Sequence, residues 1–157
     1  MTWYCHTVKI PCISHGSLIA SLESSATVSV TDFTMVMLQR HPDHAAKNSS
    51  GKFLVRMADL VELGFTEEPT IGDILQLSRL RPLGIRICPR GFGPRVRLKY
   101  LSQPSGRIYV AMRPLIGMDK IPRVFRLDGG QPPWLRSEEA PPKKRFPLES
   151  VWLFICT

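Results

Sequence analysis

Cys12 and His15 are three residues apart, and so are His41 and His44. Each pair could hold two corners of a tetrahedral zinc site, because thiolate and imidazole are the ion's usual ligands. All four histidines (His6, His15, His41, His44) fall early in the chain, beside Cys5 and Cys12. The spacing is not that of a zinc knuckle, since Cys5 and Cys12 are no CxxC and no second tight cysteine pair follows. The plainer reading is two partly buried thiols and polar loop histidines, with no metal and no cofactor assigned.

Phosphate cradling fares no better. Residues 46–53, AKNSSGKF, place Gly51-Lys52 after a polar loop. A P-loop needs glycine where Ala46 stands, Ser or Thr where Phe53 stands, and a helix after the lysine. Gly91-Phe92-Gly93 lacks the third glycine and the βαβ context of a dinucleotide site. Glu67 and Glu68 are adjacent at a helix entry, where they favour the dipole and do not face one another. Asp59 and Glu62 could share a face, but local spacing puts no histidine or lysine beside them. Cys88, flanked by Arg86 and Arg90, has cationic neighbours that could activate a thiol, yet a lone thiol between a strand and a proline usually belongs to the core. No catalytic residue is assigned, although a site gathered from distant residues stays open.

The clearest pattern is basic. Over residues 95–114, Arg95, Arg97 and Lys99 alternate with Val96, Leu98 and Tyr100, and after QPSG, Arg107, Tyr109 and Arg113 alternate with Ile108, Val110 and Met112. Period-two alternation describes a two-stranded ribbon with one apolar and one basic face. Arg95, Arg97, Lys99, Arg107 and Arg113 would then face a polyanion, with Tyr109 as a stacking platform. Arg79, Arg81, Arg86, Arg90, Arg123 and Arg126 could extend the surface. The bland counterpart is a solvated face that keeps edge strands from aggregating.

Charge distribution supports a polyanionic partner. Residues 1–78 hold five Lys/Arg against eight Asp/Glu, a net of −3, and residues 79–157 hold sixteen against five, a net of +11, giving +8 over the 157-residue chain. Only four of those sixteen are lysine, and arginine's planar fork suits phosphate, carboxylate and aromatic faces. Nucleic acid or an acidic protein fits such asymmetry.

The apolar fraction of 43% and charged fraction of 22% exclude a disordered tail, and the length suits one domain over 1–157. No apolar run approaches the ~20 residues that cross a bilayer, so no membrane partner is expected. The opening MTWYCHTVKIPC has neither the basic region nor the apolar core of a signal peptide. With four scattered cysteines and no disulfide framework, a cytoplasmic location with reduced thiols is expected. Fourteen prolines, about 9% of the chain against about 5% on average, predict short elements and fixed loops.

These elements must position whatever site exists. Residues 3–13 and 27–31 are β-branched or aromatic and predict strands, and residues 14–25 predict a helix capped by Ser14 or Ser17. Residues 32–40 are ambiguous, residues 41–51 read as a loop, and residues 52–64 as a strand leading into a turn. The spacing predicts a helix over 70–81, with Thr70 as N-cap, Asp73 at the capping-box position, and Pro82 and Gly84 as its stop. Short strands follow at 85–88, 121–127 and 134–135, with a turn at 128–130. Residues 137–147 read as an exposed Pro-rich loop. Residues 151–156, VWLFIC, are apolar at every position, as in a strand buried on both faces whose loss would be badly tolerated.

The ordered motifs LG (83–84), CP (88–89), GPxxRLxY (93–100), QPxG (103–106), AMxP (111–114), PxVF (122–125) and WL (134–135) carry a further observation. Together, over roughly residues 60–157, they resemble a family of short bacterial proteins to which no activity is assigned. The resemblance supplies no site residue. It implies that residues 93–100 can form a helix, for which Pro94 suits the first turn, so strand and helix both stand there. The fold expected is α+β, mainly antiparallel, with one or two short helices. The function expected is a small non-enzymatic module that binds nucleic acid through its basic half. A protein–protein accessory factor with an acidic partner and an enzyme with a dispersed site are the alternatives. Oligomeric state is not legible.

Overall fold

The computed structural model describes residues 4–42, 46–100 and 106–157. In chain order these form β1 (Tyr4–Ile10), α1 (His15–Ser24), β2 (Ser29–Val30), α2 (Asp32–Arg40), a 3-10 turn (Ala46–Ser49) and β3 (Gly51–Asp59). Then come α3 (Ile71–Ile74), α4 (Leu77–Leu80), a 3-10 turn (Arg81–Leu83), β4 (Ile85–Arg86) and α5 (Phe92–Lys99). The chain closes with β5 (Arg107–Val110), β6 (Leu115–Ile116), β7 (Pro122–Asp128), β8 (Trp134–Glu139) and β9 (Val151–Cys156). Among the described residues the strands make one sheet in the order β1-β3-β9-β5-β7-β8-β2, with β4 added to β9 and β6 to β7.

The fold is α+β, but the sheet is mixed. Parallel pairings β5/β9 and β2/β8 sit among six antiparallel ones. Five short α-helices replace the one or two expected. β9 lies at the centre, paired with β3 on one edge and with β5 and β4 on the other. Its middle residues Trp152, Leu153, Phe154 and Ile155 are all buried, which is why no polar residue alternates in VWLFIC. Trp152 stacks on its cross-strand partner Tyr109 at 5.0 Å and meets Phe146 edge-on at 5.1 Å.

Three local readings need correction. The 70–81 helix starts as expected, with the reciprocal Thr70–Asp73 capping box, but breaks at Gln76, whose φ −65° and ψ 119° are extended. In an unbroken helix Leu80 would lie about 180° around from Ile71. The break turns Leu80 to the core beside buried Ile71 and Ile74. Residues 137–147 are an exposed loop only in part: β8 continues to Glu139, Thr70 bridges Arg145, and Ala140 and Phe146 are each 1% exposed, while Pro142, Lys143, Arg145 and Pro147 are exposed.

The third correction is the ribbon, because residues 92–99 are helix and not strand. Pro94 is tolerated in the first turn, where an N–H has no intrahelical acceptor. Gly93 lets the helix lie against the sheet, since a Cβ there would meet Val110 Cγ2 at 2.9 Å. Phe92 through Arg97 are all buried, so this helix shows no polar stripe by which its period could be recognised.

Candidate anion-binding cleft

The apolar side expected of the ribbon is core: Val96, Val110 and Met112 are buried, and Leu98 and Ile108 pack against them. Its basic side does not form. Arg95 is 2% exposed and donates to the carbonyls of Gly91 and Ile13, both at 3.0 Å. Arg97, also 2% exposed, donates to the carbonyls of Asp128 at 2.9 Å, Tyr100 at 3.2 Å and Trp134 at 3.4 Å. Burial pulls its pKa down, against the raising effect of Asp128. These two arginines tie α5 to its surroundings through carbonyls, which long forked donors can reach from a buried helix. Tyr109 is buried in the Trp152 cluster and offers no stacking face. Lys99 and Arg107 are exposed, and Arg113 is exposed in a cleft described next. The QPSG turn, residues 103–105 of it, lies outside the described residues, as does His44.

Several arginines that would extend a basic face are also engaged. Arg126 chelates Asp128 at 2.8 and 2.9 Å and reaches Glu138, which Lys144 holds from the other side at 2.8 Å. Burial alone would raise the Glu138 carboxyl, but Lys144 and Arg126 outweigh it and hold the group below its ordinary range. Arg123 pairs with Asp119 at 2.8 Å and Glu139 at 3.3 Å, and its guanidinium lies 4.1 Å over the Phe33 ring. Arg79 lies 4.0 Å over Phe65.

Three other arginines behave differently. β4 leads through Ile87, Cys88 and Pro89 to Arg90 and the start of α5, and opposite it β5 runs on through Ala111 and Met112 to Arg113 and Pro114. The Cys88 N–H donates to the Ala111 carbonyl at 2.7 Å, and the Ala111 N–H donates to the Leu153 carbonyl at 3.0 Å. The two walls are thereby fastened to each other and to the central strand. Between them is a cleft of about 500 Å³ lined by Arg86, Arg90, Arg113, the apolar side chains around them and Cys88. Arg86, Arg90 and Arg113 are exposed, and among the described residues none makes a side-chain hydrogen bond or ion pair. No aspartate or glutamate lines the cleft. Three arginines lining one cleft without an acidic residue make a local positive potential, which a concave, partly apolar wall strengthens.

The remaining candidates are placed elsewhere. Cys88 is 3% exposed and donates to the Leu153 carbonyl at 3.4 Å. Burial drives its pKa far up despite Arg86, which disfavours the thiolate form a nucleophile needs. Cys12 is exposed, His15 Nε2 bonds the Leu38 carbonyl at 2.8 Å and His41 Nε2 that of Ile116 at 2.7 Å. The two imidazoles therefore serve as local fasteners, and among the described residues no three His, Cys, Asp or Glu side chains converge as ligands. Gly51-Lys52 opens β3 where a P-loop would need a helix. Asp59 accepts from the Glu62 N–H at 2.8 Å, while burial, then the Asp59 charge and hydrogen bond, push the Glu62 carboxyl up. Glu67 and Glu68 are exposed before α3.

The sequence pointed to Arg113 as a site residue and to Arg86 and Arg90 only as extensions. Nothing in local spacing brings 86–90 beside 113, because the pairing runs through β9. Comparison with protein-family models, with curated proteins and with solved structures returns no match.

Proposed function

We propose that this chain is a non-enzymatic module that binds nucleic acid, holding the phosphate backbone in the cleft of Arg86, Arg90 and Arg113. The observation that carries the reading is that three exposed arginines line one cleft with no acidic residue among its lining. A guanidinium fork matches two phosphate oxygens at once, which an ammonium cannot do. No aromatic side chain lines the cleft, so the contacts are to phosphate and carry little sequence information. Arg95, Arg97 and Tyr109 leave the binding set because they are buried. Four free thiols, two of them exposed, suit a reducing compartment such as the cytoplasm. No helix of the described residues is long and apolar enough to cross a membrane.

Fluorescence anisotropy with labelled single-stranded and duplex oligonucleotides tests the reading. Binding should be measurable at low salt, indifferent to sequence, and reduced at least tenfold by Arg113→Glu. Absence of binding at low salt removes it.

A second reading is supported by Ile116 and Met118, each 48% exposed just after Arg113. Basic and apolar groups side by side suit an acidic protein partner whose rim carries charge and whose centre is apolar. Stoichiometric co-purification of such a protein after nuclease treatment would favour it over nucleic acid.

A further inference from the structure

β1 is an edge of the sheet: the strand order begins with it, and among the described residues only β3 pairs with it. Tyr100, at the end of α5, shows which of its backbone groups face outward. The Lys9 N–H donates to the Tyr100 hydroxyl at 2.7 Å, and that hydroxyl donates to the Lys9 carbonyl at 3.4 Å. Alternate residues of a strand present their N–H and C=O to the same side, so Thr7 and Cys5 face outward with Lys9. Among the described residues nothing bonds the outer N–H or C=O of either, and both residues are exposed. The two faces beside this open edge differ. On the α5 face lies a cleft of about 320 Å³ whose lining includes His6 and Val8 of β1, Val55 and Met57 of β3, Leu153 of β9 and Tyr100. On the opposite face Lys9 stands directly across from Lys52. Both lysines are exposed, and neither makes an ion pair among the described residues. Like charges directly opposite one another weaken a ladder, so an anion on that face relieves them.

We propose that the outer edge of β1 takes an extended segment of an acidic partner protein as an added strand, one in which apolar and acidic side chains alternate. Main-chain bonds to Thr7 and Cys5 supply the attachment, and the alternation supplies the selection. Side chains of the added strand on the α5 side enter the apolar cleft, while those between them fall on the face of Lys9 and Lys52. A carboxylate directly opposite Thr7 is diagonal to Lys9 and within its reach. Tyr100 already holds the Lys9 backbone, so the added strand pairs with the part of β1 that precedes it. Charge decides against a second copy of this chain as the occupant. Two β1 strands paired antiparallel about a two-fold axis continue each face across the seam, which would put Lys9 and Lys52 of both chains on one surface. This edge contains none of the cleft arginines and does not rest on the nucleic-acid reading.

The test is fluorescence anisotropy at low salt with a capped, labelled peptide of about eight residues in which valine and glutamate alternate. Saturable binding is expected, weakened about tenfold or more when lysine replaces the glutamates, and likewise in a Lys9→Glu, Lys52→Glu double variant. Thr7→Pro removes one outward N–H and no bond to β3, a change that edge strands tolerate, and it should weaken binding to a similar extent. If that variant does not fold, the peptide N-methylated at alternate amides, made in both phases, tests the same main-chain bonds, and one phase should lose binding. The Arg86→Gln, Arg90→Gln, Arg113→Gln variant should bind the peptide as the unmutated protein does. The proposal is overturned by absence of binding at low salt, by binding indifferent to Lys9→Glu, Lys52→Glu or to N-methylation in either phase, or by loss of binding in the triple arginine variant, which would place the peptide in the cleft.

Discussion

Replacing Gly93 by alanine tests the contact on which the placement of α5 depends. The new Cβ would lie 2.9 Å from Val110 Cγ2 and 3.5 Å from Phe125 Cβ. Val110 and Phe125 are both fully buried, and a β-branched side chain such as Val110 has little freedom at χ1 to withdraw. At a compatible helical site the substitution by itself gains about 0.5–1 kcal/mol by restricting the unfolded chain. Overpacking a filled core costs about 1–3 kcal/mol. The contact is below any normal Cβ approach, so the cost wins, and Gly93→Ala should destabilise by about 1–2 kcal/mol. Val110→Ala removes the obstructing methyls and alone costs about 2 kcal/mol in lost burial and cavity. In the double variant the two penalties should fall short of additivity by about 1 kcal/mol, since the smaller side chain makes room for the new Cβ. Urea unfolding at equilibrium provides all four corners of the cycle. A neutral or stabilising Gly93→Ala, with no coupling to Val110, would refute the packing of this helix and favour residues 93–100 as an exposed strand.

Two further outcomes follow from the same geometry. Arg97→Ala should destabilise by about 2–4 kcal/mol, because buried carbonyls lose charge-assisted donors, with little change in the salt slope of any nucleic-acid binding; urea unfolding and anisotropy measure the two parts. Glu138 has a folded-state pKa below its ordinary value of 4.5, so its stabilising contribution is fully present above that value and is lost as pH falls through the lower, folded-state pKa. Glu138→Gln should therefore weaken the protein at neutral pH and flatten the acid limb of its stability profile, read as urea midpoints against pH.

The sequence made some elements legible for identifiable reasons. β9 was readable because a strand buried on both faces needs no alternation, and the Thr70–Asp73 box because capping is local chemistry. Gln76 was not readable, since the demand that Leu80 reach the core is tertiary. Residues 93–100 misled because a helix buried on all sides carries no stripe, while Arg95 and Arg97 at alternate positions imitate a strand's polar face. Their carbonyl partners lie as far off as Ile13 and Trp134, beyond any local pattern. The site suffered the same loss. Basic charge in the C-terminal half was plain, but which arginines remain unpaired depends on β-pairings that occupy Arg123 and Arg126 and leave Arg86, Arg90 and Arg113 open. Cys5 and Cys156 lie near opposite ends of the sequence, and only the strand register brings their sulfurs to 4.0 Å.

The most direct measurement is the salt dependence of oligonucleotide affinity for the unmutated protein and for the Arg86→Gln, Arg90→Gln, Arg113→Gln triple variant. Each phosphate contact contributes about −0.9 to the slope of log K against log salt on duplex and about −0.7 on single strands. Loss of three such contacts should make the slope shallower by about 2 to 3, with the urea midpoint little changed because these side chains are exposed and unpaired. An unchanged slope in the triple variant, or no binding by either protein at low salt, would contradict the assignment of the cleft.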